Sequence, residues 1–489
     1  MDELHFNRQY LLCDEPVSIL MGWNQKVVGH SLTLYVHPNL DLNQVIMEDR
    51  KLTLVGDFFD PHHPNKSNKE ILQGLSNETS FDEVLKATFE LAGKFVLIYD
   101  DSDDFKLFHD AVGLREVFYW KGQPNTPCAS QPTLFDQYKK LEPTSDVLGS
   151  AFYSSPLFAE RKERISNTTQ YEGLEHLQPN HYLDLRSGRA VRYFPNEPLD
   201  KVEIEAAVNK SAFYLRGFFK AMVRRYPLMI AVTAGMDSRI MLAASREVSQ
   251  DVFYFIFQSE DMESNDLDIS TPTRLMEKLG LPFHVISDGR EASKEEKEIM
   301  LKNVELMYAR HSEFRYETLV NRSNHLNITS VSEFSRNYYH YEADPKNLSG
   351  NKLATLSKFK SNPFVSKVYA QWLAESREFF DQNGYNTLDM FYWEEKMGNW
   401  LANGRSSLGN VIEDFSPFNC RNLMINFLAV DEKYRGRFNS TFHRKLIEKL
   451  CPEALQEPIN GSRKYQIINA LVKLGIYPIY KKIQLLLKS

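Results

Sequence analysis

The chain has 489 residues, of which 42% are hydrophobic and 25% are charged, and its formal net charge is −7. A globular chain of this length should form two domains, each with its own core. The negative charge disfavours extensive contact with phosphate backbones, so we expect no nucleic-acid partner. No apolar run reaches membrane-spanning length, and polar residues interrupt the first twenty. We therefore expect no signal peptide and a cytoplasmic protein.

Four cysteines are present, and their positions (Cys13, Cys128, Cys420 and Cys451) show neither disulfide-like nor metal-ligand spacing. Reduced thiols are the expectation for such a pattern in a cytoplasmic chain. The 13 histidines are also scattered without the spacing of a zinc site.

The first half of the chain contains apolar segments separated by turn residues. Strands are predicted over residues 51–60 (KLTLVGDFFD), 91–100 and 105–120. They indicate a β-rich half in which strands alternate with turns. A break at Asn196-Glu197-Pro198 then predicts a boundary, with domains at residues 1–197 and 198–489.

Beyond this boundary a helix is predicted over residues 204–225, and strands then alternate with helices. Strands are predicted over residues 228–232, 251–258, 282–287 and 326–331, and helices over 270–279 and about 292–309. The alternation predicts a doubly wound parallel sheet followed by a helical extension. Ligands of such sheets bind beyond the carboxyl ends of the strands, where the strand order reverses. We therefore expect the segments after these strands to converge on one edge.

Residues 228–239 (LMIAVTAGMDSR) predict a buried strand, a tight turn and a helix N-terminus. Such a turn directs backbone N–H groups and the positive end of the helix dipole at one point, which suits a polyphosphate. Asp237 can hold Mg²⁺, and the hydroxyls of Thr233 and Ser238 can donate to phosphate oxygens. The segment has no lysine, which excludes a Walker loop. The alternative is an ordinary strand–turn–helix junction in which Asp237 or Ser238 caps the helix.

Several motifs resemble the asparagine synthetase family. TAGMDSR is similar to the S-G-G-x-D-S loop of ATP pyrophosphatases, with Thr233 and Ala234 replacing the first serine and the first glycine. A positive φ at Ala234 would either cost about 1 kcal/mol of strain or be absent. SNDLDIS followed by RLMEKLGLPFHVI resembles the family's second segment. SVSEFSRNYY stands where the family has a glycine-rich acidic loop, with Glu333 and Arg336 at its charged positions and with Ser330 and Ser332 in place of its glycines. Residues 399–402, Arg405 and residues 416–419 resemble the helical C-terminal part.

The resemblance implies ATP and Mg²⁺ as cofactors and assigns roles to residues. Asp237 and Glu333 would hold the metal, with Asp266 as a further cofactor-binding candidate. The phosphates would contact a cradle made of Thr233, Ala234, Gly235, Met236, Ser238 and Arg239. Basic side chains expected to face the leaving pyrophosphate are Arg239, Arg336, Arg405 and Lys464.

Three of these residues also have simpler structural interpretations. Asp266 lies with Asp268 in an acidic run, residues 260–268, that is typical of a solvated loop. Arg405 follows Asn403-Gly404 and could instead stabilise a turn or pair with Glu413 or Asp414. Lys464 could be an ordinary surface residue.

The N-terminal half is similar to the β-rich sandwich of a class II glutamine amidotransferase domain, and residues 171–194 match the segment that joins that domain to the synthetase domain. An active enzyme of that class needs a cysteine as the first residue of the mature chain, because the thiol attacks glutamine while the α-amino group acts as base. Here Asp2 follows Met1, and Cys13 lies in a strand-like context. Val55-Gly56-Asp57 also replaces the family's Asn-Gly-Glu, which removes an amide that would donate to the oxyanion. We therefore expect a degenerate domain without glutaminase activity.

The sequence thus predicts an AMP-forming ligase that activates a small-molecule or peptide carboxylate and joins it to an amine or ammonia. The alternative is a noncatalytic descendant that binds nucleotide or serves as a scaffold, which the replaced glycines favour. The tail after residue 465 has helical apolar spacing and several lysines. Packing against the protein is favoured over membrane contact there, because Gly475 and Pro478 interrupt the helix.

Overall fold

A computed structural model describes most of the chain. The described residues are 4–29, 31–48, 50–259, 262–263, 265–306, 316–438, 440–461, 466–468, 470–471, 474–477 and 479–480. No helix among them is long and apolar enough to cross a bilayer.

In its described residues, the N-terminal half contains twelve strands in two antiparallel sheets. The strands β1 to β12 are Tyr10–Cys13, Asn24–Val28, Leu32–Val36, Leu42–Met47, Arg50–Phe59, Ala92–Asp100, Phe105–His109, Phe118–Trp120, Cys128–Ala129, Leu174–His176, His181–Asp184 and Arg189–Arg192. The orders are β10-β8-β9-β1-β3-β2 and β12-β11-β7-β6-β5-β4. Five helices, α1 to α5, accompany them: Asn68–Leu75, Phe81–Ala87, Pro132–Tyr138, Val147–Tyr153 and Pro156–Arg161.

The long central strands β5 and β6 show why this half forms two layers. Successive side chains of a strand point to opposite faces. Val55 and Val96 contribute to a core that also contains side chains of the other sheet. Leu54 and Leu97 contribute to a second core, with residues of α1 and α2. Because both faces of this sheet are covered, its central strands are apolar almost throughout.

The C-terminal half is built on a five-stranded parallel sheet. Its strands, β13 to β17, are Leu228–Ala231, Val252–Phe257, His284–Ile286, Leu326–Ile328 and Glu413–Phe415. Their order is β15-β14-β13-β16-β17, and each pair is parallel. The strand order therefore reverses between β13 and β16.

Helices pack on both faces of this sheet. They are α6 to α16, with bounds Ile204–Val223, Met236–Ala244, Leu267–Leu279, Lys294–Asn303, Tyr316–Val320, Gly350–Leu356, Pro363–Gln382, Thr387–Phe391, Ala402–Gly409, Arg421–Leu428 and Thr441–Leu450. A π-helical segment, Tyr392–Leu401, joins α13 to α14. Leu228 and Ile230 of β13 face the larger core, whereas Met229 between them faces the other side.

The structure confirms the prediction of antiparallel sheets followed by a parallel sheet with helices. Helix α8 ends where Gly280 was expected to stop it, at φ +63°. Several elements are shorter than predicted: β16 ends at Ile328, and α9 begins after Ser293, whose hydroxyl accepts a hydrogen bond from Glu296 N–H. The strand β17 was not predicted, because its sequence Glu413-Asp414-Phe415 has two charged residues and no alternation.

Candidate functional site

The segments that follow β13 and β16 are neighbours at the carboxyl edge of the parallel sheet. Ile230 of β13 pairs with Ile328 of β16, and the chain leaves the sheet just beyond both residues. The reversal of strand order at this point is where ligands of open α/β sheets bind. The first segment is the turn Thr233 to Ser238, which we call the 233–238 loop, and the second runs from Thr329 to Arg336.

The 233–238 loop is held together by its own hydroxyl groups. Ser238 Oγ accepts a hydrogen bond from Thr233 N–H at 3.1 Å and lies 3.0 Å from Thr233 Oγ1, which in turn accepts from Gly235 N–H at 3.1 Å. Gly235 is the N-cap residue of α7, with φ −77°. It has no side chain that could accept a hydrogen bond from the first turn of the helix. Ala234 is not among the positive-φ residues, so the strain expected from its replacing a glycine is absent.

The alternative interpretation, an ordinary junction in which Asp237 or Ser238 caps the helix, is therefore only partly supported. Ser238 stabilises the turn, but neither it nor Asp237 accepts from the first helical N–H groups in the manner of an N-cap. Asp237 instead points to the second segment. The positive end of α7 therefore has no acidic cap among the described residues.

Asp237, Arg336 and Glu333 form an ion cluster, which we call the loop cluster. Arg336 Nη2 lies 2.6 Å from Asp237 Oδ2 and 3.3 Å from Glu333 Oε1. Ser332 Oγ donates to Asp237 Oδ1, and Tyr392 Oη donates to Glu333 Oε2 at 2.9 Å. Both predicted metal ligands therefore contact one guanidinium nitrogen.

Ser332 and Tyr392 are the members of this site that sequence reasoning missed. Ser332 was noted only as a replacement for a glycine. Tyr392 lies 59 residues from Glu333 in the chain, and no local pattern marks it. Burial, together with the nearby Glu333 carboxylate, raises the pKa of Tyr392 well above its ordinary value, so it remains a hydrogen-bond donor.

A third acidic residue reaches the loop, and it is Asp268 rather than Asp266. Asp268 Oδ1 accepts a hydrogen bond from Ala234 N–H at 3.1 Å. Asp266 is the N-cap of α8, and its Oδ1 accepts from Asp268 N–H at 2.9 Å. The predicted cofactor contact of Asp266 thus corresponds to a cap that positions Asp268.

The prediction that Arg239 faces the phosphates is wrong in this structure. Its side chain is fully buried, and its guanidinium donates to the carbonyl oxygens of Ala454 and Glu457 at 2.7 and 3.0 Å. Burial lowers its pKa to about 10, which still leaves it charged at neutral pH. Arg239 therefore attaches α7 to the 452–458 segment instead of contacting a ligand.

Arg405 lies at the same sheet and has no contact with the loop cluster among the described residues. Its Nε is 3.1 Å from Asp414 Oδ2, an ion pair whose geometry is not that of a hydrogen bond. Asp414 is buried in β17 and also accepts from Asn327 Nδ2 at 2.6 Å. Of the two predicted partners, Glu413 and Asp414, the structure therefore pairs Arg405 with Asp414. Arg405 also borders a cavity. Lys464 lies outside the described residues.

Comparison with known proteins gives no family assignment. No family model matches the chain, and no curated protein matches it. Two solved structures are similar over part of their length. The allosteric regulatory enzyme of purine biosynthesis has 10% identity and a TM-score of 0.25, with 61% of this chain and 67% of that chain covered. Glutamine phosphoribosylpyrophosphate amidotransferase from B. subtilis, complexed with ADP and GMP, has 12% identity and a TM-score of 0.24, with 61% and 65% covered. These scores are below those of chains that share an overall fold.

Proposed function

We propose that the protein is an AMP-forming carboxylate–amine ligase that resembles asparagine synthetases. The observation that carries this proposal is the loop cluster: Asp237 at the start of α7 meets Arg336 and Glu333 at the reversal of strand order. The cluster combines carboxylates, a cation and a helix N-terminus, which are the elements that position a metal-bound polyphosphate.

The residues fit Mg²⁺ with ATP better than they fit a bare anion. Carboxylate oxygens are the ligands that Mg²⁺ prefers. Asp237 and Asp268 both lie at the 233–238 loop, so an unaccompanied phosphate would be repelled there. Asp237 and Glu333 would hold the metal, which supplies neutralisation of the charge that develops on the phosphate oxygens.

In the proposed reaction, a carboxylate oxygen of the substrate forms a bond to the α-phosphorus of ATP. The bond between that phosphorus and the bridging oxygen of pyrophosphate breaks. The amine nitrogen then bonds to the acyl carbon, AMP leaves, and the amine loses a proton to solvent. Arg336 would orient the carboxylates of the cluster, and Ser332 and Tyr392 would hold them in place. Catalysis would come from positioning and from charge stabilisation.

We propose that the amine or ammonia does not come from glutamine hydrolysis. Cys13 is buried in β1, and burial raises the pKa of its thiol to about 12. A thiol with such a pKa is a poor nucleophile at neutral pH. Val55, at the position of the family's asparagine, has its side chain buried in the core between the two antiparallel sheets.

A noncatalytic nucleotide-binding protein is the second candidate, and one observation favours it. Three N–H groups of the 233–238 loop, those of Thr233, Ala234 and Gly235, already have acceptors within the protein. In that case the chain would bind nucleotide through the remaining groups without turnover.

Release of pyrophosphate from ATP and Mg²⁺, measured over a panel of carboxylates with an amine or ammonia, tests the proposal. We expect release that depends on the carboxylate and is lost in Asp237→Ala. Asp200→Ala, which removes an exposed carboxylate outside the loop cluster, is the matched control and should retain activity. Nucleotide binding without release for any acid would favour the noncatalytic candidate. Absence of both binding and release would reject both candidates.

A further inference from the structure

A cavity of about 340 Å³ lies against the same parallel sheet as the loop cluster. Its walls are mainly apolar and aromatic, with contributions from Phe255, Phe257, Leu319, Trp400 and Leu408. This volume is at the small end of the range for ligand pockets, and it corresponds to roughly ten water molecules. The cavity is therefore sized for a molecule about as large as an amino acid with a bulky side chain.

The cavity adjoins both segments of the candidate site. Ala231, the last residue of β13, lines it, and the 233–238 loop begins two residues later. Thr329 also lines it, and Ser332, which donates to Asp237, follows three residues later. Two residues of extended chain span at most about 7 Å. A molecule in this cavity would thus be near the proposed phosphate site.

The one cationic group in the described lining is Arg405. Its Nε faces Asp414, and no described residue accepts a hydrogen bond from its two terminal nitrogens. Asp414 has a second anchor in Asn327, which holds it in the sheet. The planar fork of Arg405 is therefore available to a carboxylate, which matches it in geometry.

We propose that this cavity selects the carboxylate substrate, and that the substrate is an acid with an aromatic or bulky aliphatic body. This inference rests on the proposed ligase function. The apolar body would lie against Phe255, Phe257 and Leu408, and a carboxylate would pair with Arg405. A small dicarboxylate fits poorly, because its second charge would lose water against apolar walls without a partner.

Calorimetric titration of the full chain without nucleotide tests the cavity directly. The probes are 3-phenylpropanoate, its uncharged amide 3-phenylpropanamide, and acetate. We expect 3-phenylpropanoate to bind at least tenfold more tightly than either of the others. Equal binding of acetate, or no binding of the aromatic acid, would overturn the proposal.

Two kinds of variant locate the binding. Leu408→Trp fills the cavity and should weaken binding of 3-phenylpropanoate at least tenfold, while the same change at the exposed Leu148 should not. Arg405→Met should remove the preference for the acid over the amide. Since loss of Arg405 leaves buried Asp414 without its cation, Arg405→Lys provides a folded comparison that keeps the charge. An unchanged affinity in Leu408→Trp, with the fold verified by circular dichroism, would contradict the assignment.

The experiment separates failure of this inference from failure of the ligase proposal. Binding that responds to Leu408→Trp, with no pyrophosphate release for any acid, would reject the ligase and retain the cavity as a binding site. Pyrophosphate release with aspartate that is indifferent to Leu408→Trp would retain the ligase and reject the cavity as its selector.

Discussion

Two ion clusters border the parallel sheet, and they differ in charge balance and exposure. In the loop cluster two carboxylates share Arg336, and the side chain of Glu333 is 48% exposed. In the second, which we call the interface cluster, Glu413 of β17 is surrounded by Lys94 at 2.7 Å, Arg115 at 3.1 Å and Arg8 at 3.7 Å. The side chain of Lys94 is only 3% exposed.

The difference shows how clusters of carboxylates and cations can have either a structural or a ligand-binding role. The interface cluster joins β17 to the N-terminal sandwich and places one buried carboxylate among three cations. Burial opposes ionisation of Glu413, but Arg115, Lys94 and Arg8 outweigh it and hold its pKa at about 2. The loop cluster is partly exposed and, among the described residues, has more carboxylates than cations. A partly exposed cluster with an excess of negative charge is suited to a cation, here the proposed Mg²⁺.

The largest effect should come from removing the centre of the interface cluster. Glu413→Ala leaves three buried cations uncompensated, which costs about 3 to 5 kcal/mol of stability in other proteins. Urea unfolding measures this loss. The exposed pair of Lys86 and Glu197 provides the control, since Glu197→Ala should change the midpoint little. A similar small change for Glu413→Ala would show that the two halves do not depend on this cluster.

The second-largest effect should come from removing a charge of the loop cluster. Asp237→Asn keeps the size of the side chain but removes a charge that the metal needs, so we expect pyrophosphate release to fall on the order of 100- to 1000-fold. Thermal unfolding should change little, because the cluster is partly exposed. A large loss of stability with normal residual activity would instead assign this cluster a structural role like that of the interface cluster.

The same contrast explains what the sequence could predict. The strand, loop and helix at residues 228–244 were predictable because an apolar run followed by small residues is a local signal. Glu333 and Arg336 were found through a motif. By contrast, β17 was missed because Glu413 is stabilised in a strand by cations about 300 or more residues away.

Arg239 illustrates the opposite error, in which the sequence predicts a contact that the structure does not have. Its position after Asp-Ser suggested a phosphate contact, but its acceptors are carbonyl groups more than 200 residues further along the chain. Asp266 and Asp268 were both noted in an acidic run, and only the capping geometry of α8 decides which of them reaches the loop. Long-range partners and helix caps therefore decide which of these residues contact the 233–238 loop, and sequence patterns alone could not.

A third cluster sharpens the comparison because its two carboxylates, Asp389 and Glu432, have two basic partners, His340 and Arg435. His340 Nε2 is 3.0 Å from Asp389 Oδ1, and its Nδ1 is 3.4 Å from Glu432 Oε2. Burial opposes protonation, but Asp389 and Glu432 outweigh it and raise the pKa of His340 to about 9, from an ordinary value of 6.5.

A raised pKa gives stability that is complete below pH 6.5 and is lost as the pH rises through about 9. We expect a loss on the order of 1 to 3 kcal/mol across this window. Urea unfolding at several pH values measures it, and His340→Gln should reduce the dependence to the part due to other groups, such as Glu395, whose pKa burial raises to about 8. An equal pH dependence in the unaltered protein and in His340→Gln would mean that folding does not raise the pKa of His340.

The smallest effect should come from Ser332, which lets the loop cluster be probed without changing its charge. Ser332→Ala removes one hydrogen bond to Asp237, whereas Arg336 still holds the other carboxylate oxygen. One such bond contributes about 0.5 to 1.5 kcal/mol, so pyrophosphate release should fall about 2- to 12-fold.

Ser330→Ala, in the same segment but without a contact to Asp237, should cost less. If both serine variants lose activity equally, Ser332 acts through the conformation of the segment. If only Ser332→Ala does, the orientation of Asp237 sets the rate, as expected for a carboxylate that must face a metal-bound phosphate.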